Sequence, residues 1–236
     1  MNFFKVLSLF LFIGLAGCID DFTCQKATGP LETQDRSASN FSRISHLIDG
    51  QVFIRQGNSY QVQVTARESI IDEITTQVVN GELRIGLDEC IRGDSDIEIQ
   101  ITLPQLNGIE LAGSGQVLGE STFSTNAMDL RLSGSGSIHL DVNVQNLEAN
   151  VSGSGRIFLE GNTLTQEVRV SGSGEVEAFD LQSQQTEAIV SGSGNIGVRV
   201  AQSLQALISG SGNILYKGSP TVQATISGSG RVLNAN

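Results

Sequence analysis

The residues best placed to do chemistry in this chain are two histidines, three cysteines and a set of charges that recurs at a fixed offset from a repeated motif. Ser-Gly-Ser-Gly begins at Ser133, Ser152, Ser171, Ser191, Ser209 and Ser227, and Ala-Gly-Ser-Gly begins at Ala112. Eight residues after each start stand Glu120, Asp141, Glu160, Phe179, Arg199, Lys217 and Ala235. If the repeats stack in register, Glu120, Asp141 and Glu160 form a column of three carboxylates. Hard divalent cations take such oxygen ligands. The simpler alternative is that the strand ends there and the charges splay into water at little cost. No metal is therefore assigned to the column.

Catalytic candidates are sparse. His46 and His139 are the only histidines, tryptophan is absent, and Tyr60 and Tyr216 are the only tyrosines. His139, between Ile138 and Leu140, falls at an outward position facing solvent, with no Ser or Asp partner nearby in sequence. The 13 serines of the repeated motif have no recognisable base beside them. Their regularity reads instead as stacked hydroxyl ladders at a corner. No catalytic residue and no cofactor are assigned.

The cysteines divide by position. Lys5 precedes an apolar run from Val6 to Ala16, closed by Leu15-Ala16-Gly17-Cys18. A basic start, an apolar stretch and small residues at the cut describe a secretory signal over residues 1–17. The Cys directly after them resembles a bacterial lipobox, which implies lipid attachment at Cys18. Cys24 and Cys90 then remain, and an even residual pair in an exported chain favours a disulfide.

The elements that would position these residues follow from the repeat. Steps between motif starts are 21, 19, 19, 20, 18 and 18 residues. A period near 20 marks stacked units, each of which buries its apolar face only against its neighbours. One residue before each start stand Leu111, Leu132, Val151, Val170, Val190, Ile208 and Ile226. Three before stand Ile109, Leu130, Ala149, Val168, Ala188, Ala206 and Ala224, and five after stand Val117, Ile138, Ile157, Val176, Ile196, Ile214 and Val232. Even spacing puts these columns on one side of an extended chain, the inside. The same parity runs through both glycines of each corner. The pairs Gly113/Gly115, Gly134/Gly136, Gly153/Gly155, Gly172/Gly174, Gly192/Gly194, Gly210/Gly212 and Gly228/Gly230 are therefore expected to point inward at tight bends. Each unit reads as strand, glycine corner, second strand and variable return. The fold class is all-β, a single-domain parallel β-helix or β-solenoid with corners every 18–21 residues.

Boundaries follow from composition. After the signal, residues 18–40 read as a polar tether, 41–105 as irregular coils of the same domain, and 106–236 as the regular repeats. The signal holds one base and no acid, so the mature chain carries 13 Lys and Arg against 25 Asp and Glu, a formal charge of −12. Such a surface repels nucleic acid.

The region from Phe41 onward resembles the family called putative auto-transporter adhesin, head GIN domain. The resemblance rests on Phe41-Ser42-Arg43-Ile44, Val52-Phe53-Ile54-Arg55-Gln56-Gly57, Asn80-Gly81-Glu82-Leu83-Arg84-Ile85, Leu103-Pro104 and the Gly-Ser-Gly array from Ile109. It implies a β-helix exported to the envelope and supplies no catalytic motif. Ile19-Asp20-Asp21 after Cys18 is similar to acidic signals that send such lipoproteins to the cell surface.

Together these readings give a lipid-anchored, non-enzymatic protein of the outer membrane, facing the periplasm or the cell surface. It would present a rigid face to an envelope or extracellular ligand, glycan or protein. The rival readings are a polysaccharide-active β-helix enzyme and a scaffold that assembles end to end. The last coil ends at Arg231–Asn236, either solvated by Asn234 and Asn236 or stacked on a second copy as a homo-oligomer.

Overall fold

The structure, a computed structural model, describes residues 24–93 and 96–236; the signal segment and Cys18 lie outside them. The N-terminal part contributes short strands: β1 (Gln25–Lys26), β2 (Leu31–Arg36), β3 (Arg43–His46), β4 (Gln51–Gln56), β5 (Gln61–Arg67), β6 (Ile74–Val79), β7 (Glu82–Leu87), β8 (Ile91–Arg92) and β9 (Glu98–Leu103). The repeats contribute β10 (Gly108–Gly113), β11 (Gln116–Gly134), β12 (Ser137–Gly153), β13 (Arg156–Gly172), β14 (Glu175–Gly192), β15 (Asn195–Gly210), β16 (Asn213–Lys217), β17 (Thr221–Gly228) and β18 (Arg231–Asn234).

From β10 onward every strand pairs in parallel with its counterpart one repeat later, motif on motif: Ser133, Ser152, Ser171, Ser191, Ser209 and Ser227 stand in one register. This is a β-solenoid. The three apolar columns are fully buried in the first six units, as their parity requires. In the seventh, which has a neighbour on one side only, Ile226 is 45% exposed. Burying each Val, Leu or Ile column residue contributes about 1.5–3 kcal/mol relative to exposure. A lone coil could bury none of them, so the stack is the smallest stable unit.

The return is not a loop. Strands β11 to β15 run 16 to 19 residues and stay paired through it. Length differences are absorbed as register shifts, between Leu118 and Thr122 in one pair and between Ala178 and Gln182 in another. A single residue (Asn126, Gln145, Leu164, Gln184) is left out of the ladder at a further bend, so each coil folds into three extended segments.

The corner glycines divide into two kinds, which corrects the expectation that both point inward at tight bends. The first of each pair, Gly113, Gly134, Gly153, Gly172, Gly192, Gly210 and Gly228, has the left-handed φ of a bend but does not point inward. At Gly172, with φ +112°, a Cβ would lie 2.7 Å from the carbonyl oxygen of Gly153 in the preceding coil. Its direction is along the stack rather than into the core.

The second glycines depart from the expectation in the opposite way. Gly115, Gly136, Gly155, Gly174, Gly194, Gly212 and Gly230 are buried, yet none has a positive φ. They are needed for want of room, not for a bend. A Cβ on Gly174 would lie 2.5 Å from Val151 Cγ1 in the core. On Gly136, Gly194, Gly212 and Gly230 it would first meet backbone, the carbonyl oxygens of Gly115, Gly174, Gly194 and Gly212, at 2.4, 2.4, 2.1 and 2.2 Å. Coil-to-coil spacing therefore excludes a side chain there as firmly as the core does.

The ladder at the corner is carried by backbone. The Gly134 carbonyl accepts from the N–H of Ser154 and of Gly155, each at 2.9 Å. Among the described residues the corner hydroxyls make no hydrogen bond to one another, so the expected hydroxyl ladder is a stack without bonds.

The N-terminal part closes the other end of the stack. β3 and β4 pair in parallel with β10 and β11, and β7 and β9 pair in parallel outside them. Then the direction reverses: β6 is antiparallel to β7, and β5 is antiparallel to both β9 and β2. The described part of the expected tether is therefore built into the domain. Leu31–Arg36 shows no apolar alternation because β2 is an exposed edge strand, held by its backbone ladder to β5 and by bonds such as Thr33–Thr65 at 2.8 Å. Cys24 and Cys90 are joined by a disulfide, with Cα atoms 4.7 Å apart, next to the two-residue β1–β8 pair. No helix among the described residues is long and apolar enough to cross a membrane.

Candidate functional site: an axial groove

The expected carboxylate column is rearranged by the register shift. Thr122, not Glu120, stands opposite Asp141, and Thr122 Oγ1 donates to Asp141 Oδ2. Glu120 instead accepts from Arg55 Nη2 at 2.9 Å. Glu160 stands opposite Asp180 rather than Phe179, because the fourth unit carries one more residue before this point. Phe179 is displaced sideways, its ring 4.7 Å beneath Lys217 Nζ and over Gly197. Among the described residues no three His, Cys, Asp or Glu side chains form a group able to hold a metal.

His139 takes the outward position its parity requires, and packing covers part of it. His139 stacks on Phe158 of the next coil, ring centroids 4.2 Å apart, and is half-buried, which pushes its pKa down. His46 is fully buried at an inward position between Ile85 and Leu111. Burial lowers its pKa to about 4 against the opposing pull of the Gly50 backbone and Asp49. It fills the space under the first corner: a Cβ on Gly115 would lie 2.5 Å from His46 Nε2. Its role is packing.

A different column carries the charge. Four residues before each Ser-Gly-Ser-Gly start, Asp129, Glu148, Glu167 and Glu187 stack in register, followed by Gln205 and Gln223. Like charges directly opposed across a sheet destabilise it. Arginines compensate at the first three. Asp129 is paired with Arg43 and Arg131, each at 2.9 Å, and Arg169 pairs with both Glu148 and Glu167. Among the described residues Glu187 has no such partner, because the column that supplies Arg131 and Arg169 supplies Ile189 beside it. Six residues before each start runs a second polar column, Asn146, Thr165, Gln185, Ser203 and Thr221.

These two columns are the walls of a groove of 870 Å³ that runs along the stack from Arg43 and Asn107 to Thr221 and Gln223. From the rung of Asn107 to that of Gln223 there are seven coils, six steps of ~4.8 Å, which make it about 29 Å long. The strand residues at its floor, such as Leu147 and Leu204, turn their side chains into the core. Gln166 also lines it; that side chain is 2% exposed, and its Nε2 has no protein partner. A second hollow of 570 Å³ lies across the ridge that carries the exposed Leu164. Both columns sit at constant offsets from the motif, at minus four and minus six, so the repeat alignment itself held the signal. Two residues apart on one extended segment, they share the outer face by parity, and the stacking draws each out into a row along the axis.

A stacked solenoid with a polar groove along its axis defines a class of rigid binding surfaces. Over residues 40–220 the chain matches the family model described as putative auto-transporter adhesin, head GIN domain, and it belongs to that family. Among solved structures it is similar to a putative adhesin of Bacteroides fragilis, 28% identical with a TM-score of 0.85 over 89% of this chain and 99% of that one. It is also similar to a putative lipid binding protein of Parabacteroides distasonis, 25% identical with a TM-score of 0.77 over 91% and 100% of the two chains. A putative adhesin of Parabacteroides merdae, 20% identical at a TM-score of 0.74 over 91% and 100%, shares the fold. No curated protein matches the chain.

Proposed function

We propose that this chain is a lipid-anchored protein of the bacterial outer envelope that binds an extracellular or envelope ligand through the axial groove, an adhesion role without catalysis. The observation that carries the reading is the groove itself: 870 Å³, open along the stack, walled by two columns of polar side chains on a rigid parallel ladder. A preformed surface of this kind loses little conformational entropy on binding. The family membership supports adhesion, and Leu15-Ala16-Gly17-Cys18 supports the anchor.

The test compares cells that carry the full-length protein with cells that lack it, for retention on panels of immobilised glycans and extracellular proteins. Retention should depend on the protein and fall to background with Cys18→Ser. Equal retention with and without the protein refutes the reading.

A further inference from the structure

The two halves of the groove differ in how their side chains are occupied. Toward the N-terminal end the arginines neutralise the acids and Thr165 Oγ1 donates to Asn146 Oδ1 at 2.7 Å, while Asp129 Oδ1 is buried without a hydrogen-bond partner. Toward the other end no cation among the described residues pairs with the wall side chains, and most of them are exposed. Gln185, Glu187, Ser203, Gln205, Thr221 and Gln223 form no side-chain hydrogen bond or ion pair among the described residues, and all six line the groove. They come from three successive coils, one residue from each wall per coil. Beneath them Gln166, in the inward column of Leu147, Thr186 and Leu204, turns its side chain into the core, where its Oε1 accepts from Thr186 Oγ1.

We infer that this half of the groove holds an uncharged or amino-bearing glycan chain laid along the solenoid axis, one sugar per coil. The inference rests on the binding role proposed above and names its ligand. Three features select that chemistry. The walls offer amides and hydroxyls, which donate and accept, as sugar hydroxyls do. The backbone of the floor is already committed to the parallel ladder on both sides, so an extended peptide finds no free strand edge to pair with. Among the described residues lining this half, the Glu187 carboxylate has no paired cation; it attracts an amino group and repels a chain of uronates.

Among the described residues no aromatic side chain lines the groove, so each sugar is held by hydrogen bonds and contributes modestly. Affinity must therefore accumulate along the chain, then level off once the three unsatisfied coils are filled. Three sugars at one per ~4.8 Å coil cover them.

The experiment uses the full mature protein purified from the envelope in detergent, with calorimetric titration of neutral N-acetylated chitooligosaccharides, their deacetylated amino forms, oligouronates and a lysine-rich extended peptide. The neutral and amino forms should bind, rising in affinity to about three or four sugars and then flattening, with oligouronate at least tenfold weaker. Gln185→Ala combined with Gln205→Ala, both outward-facing, should lower glycan affinity at least tenfold at an unchanged melting temperature. Glu187→Lys should weaken the amino forms most and narrow the gap to oligouronate. Binding of oligouronate equal to that of the neutral chain, binding of the peptide alone, or no effect of the double substitution overturns the inference. So does the absence of binding by every glycan at millimolar concentration. If cells bearing the double substitution are still retained in the cell assay, the adhesion role stands and its placement in the groove fails.

Discussion

At the residue scale, His46 shows how burial sets chemistry. An imidazole at 0% exposure among Ile85, Leu111 and the first corner is held neutral, with its pKa lowered to about 4 from 6.5. Between those values the unfolded chain binds a proton there that the folded chain does not, so stability rises with pH and is lost as pH falls from 6.5 toward 4. The shift corresponds to about 3 kcal/mol. Denaturant unfolding at pH 7 and pH 4 should therefore show His46→Leu gaining about that much on the parent over the window. Parallel curves for the two proteins would refute a buried neutral histidine. The corner glycines give a second test. Gly172→Val meets both a left-handed backbone and the Gly153 carbonyl, and should cost roughly 2–4 kcal/mol. Ser173→Ala, exposed in the same corner, should cost no more than about 1 kcal/mol. Thermal melts of the two variants beside the parent decide it, and equal melting temperatures would contradict the stacked corner.

At the scale of elements, the solenoid is held at its two ends by different devices. The N-terminal end is finished by antiparallel strands β5 and β6 and by the Cys24–Cys90 bond, which closes a separation of 66 residues. In the chain-entropy model that bond stabilises by about 4 kcal/mol. Replacing both cysteines by alanine should lower unfolding stability by up to that amount, and peptide mapping without reductant should recover the two linked. Full alkylation of both thiols in unreduced protein would exclude the bond. At the other end the final coil keeps polar caps: the Asn236 carboxamide bonds both the N–H and the carbonyl of Gly218 at 2.8 Å. Yet Ile226 and Leu233 stay 45% and 42% exposed there, so this coil should be the first to exchange its amides with deuterium.

At the scale of the molecule, the proposed anchor would set where the groove is carried. A lipid at Cys18 would leave only a short polar stretch before Cys24, where the chain enters the rigid body. The solenoid would then sit near the membrane surface, with its groove carried on a rigid stack. Cys18→Ser should abolish incorporation of labelled palmitate and release the protein from the membrane fraction. Continued labelling would place the anchor elsewhere.

Much of this was legible in the chain before folding. Parity fixes which side of an extended strand faces in, so the columns around Val151, Ala149 and Ile157 could be assigned to the core from spacing alone. The period of 18–21 residues required stacking for the same reason. What parity could not carry across was the return, where an inserted residue shifts everything after it. Offsets counted from the motif therefore put Glu120 against Asp141, where Thr122 stands, and Phe179 against Glu160, where Asp180 stands. Edge strand β2 was invisible because an exposed edge buries no apolar face to leave a pattern. The two glycines of a corner looked alike in sequence, and only the backbone angle at Gly172 and the packing at Gly174 separate them. The groove walls lay at constant offsets from the motif, written in plain order as Asp129, Glu148, Glu167 and Glu187. That this column and the one two residues before it line a hollow was decided by the bend at Asn126, Gln145, Leu164 and Gln184 just ahead of them, because parity sets which face of a strand a side chain takes and not the shape of that face.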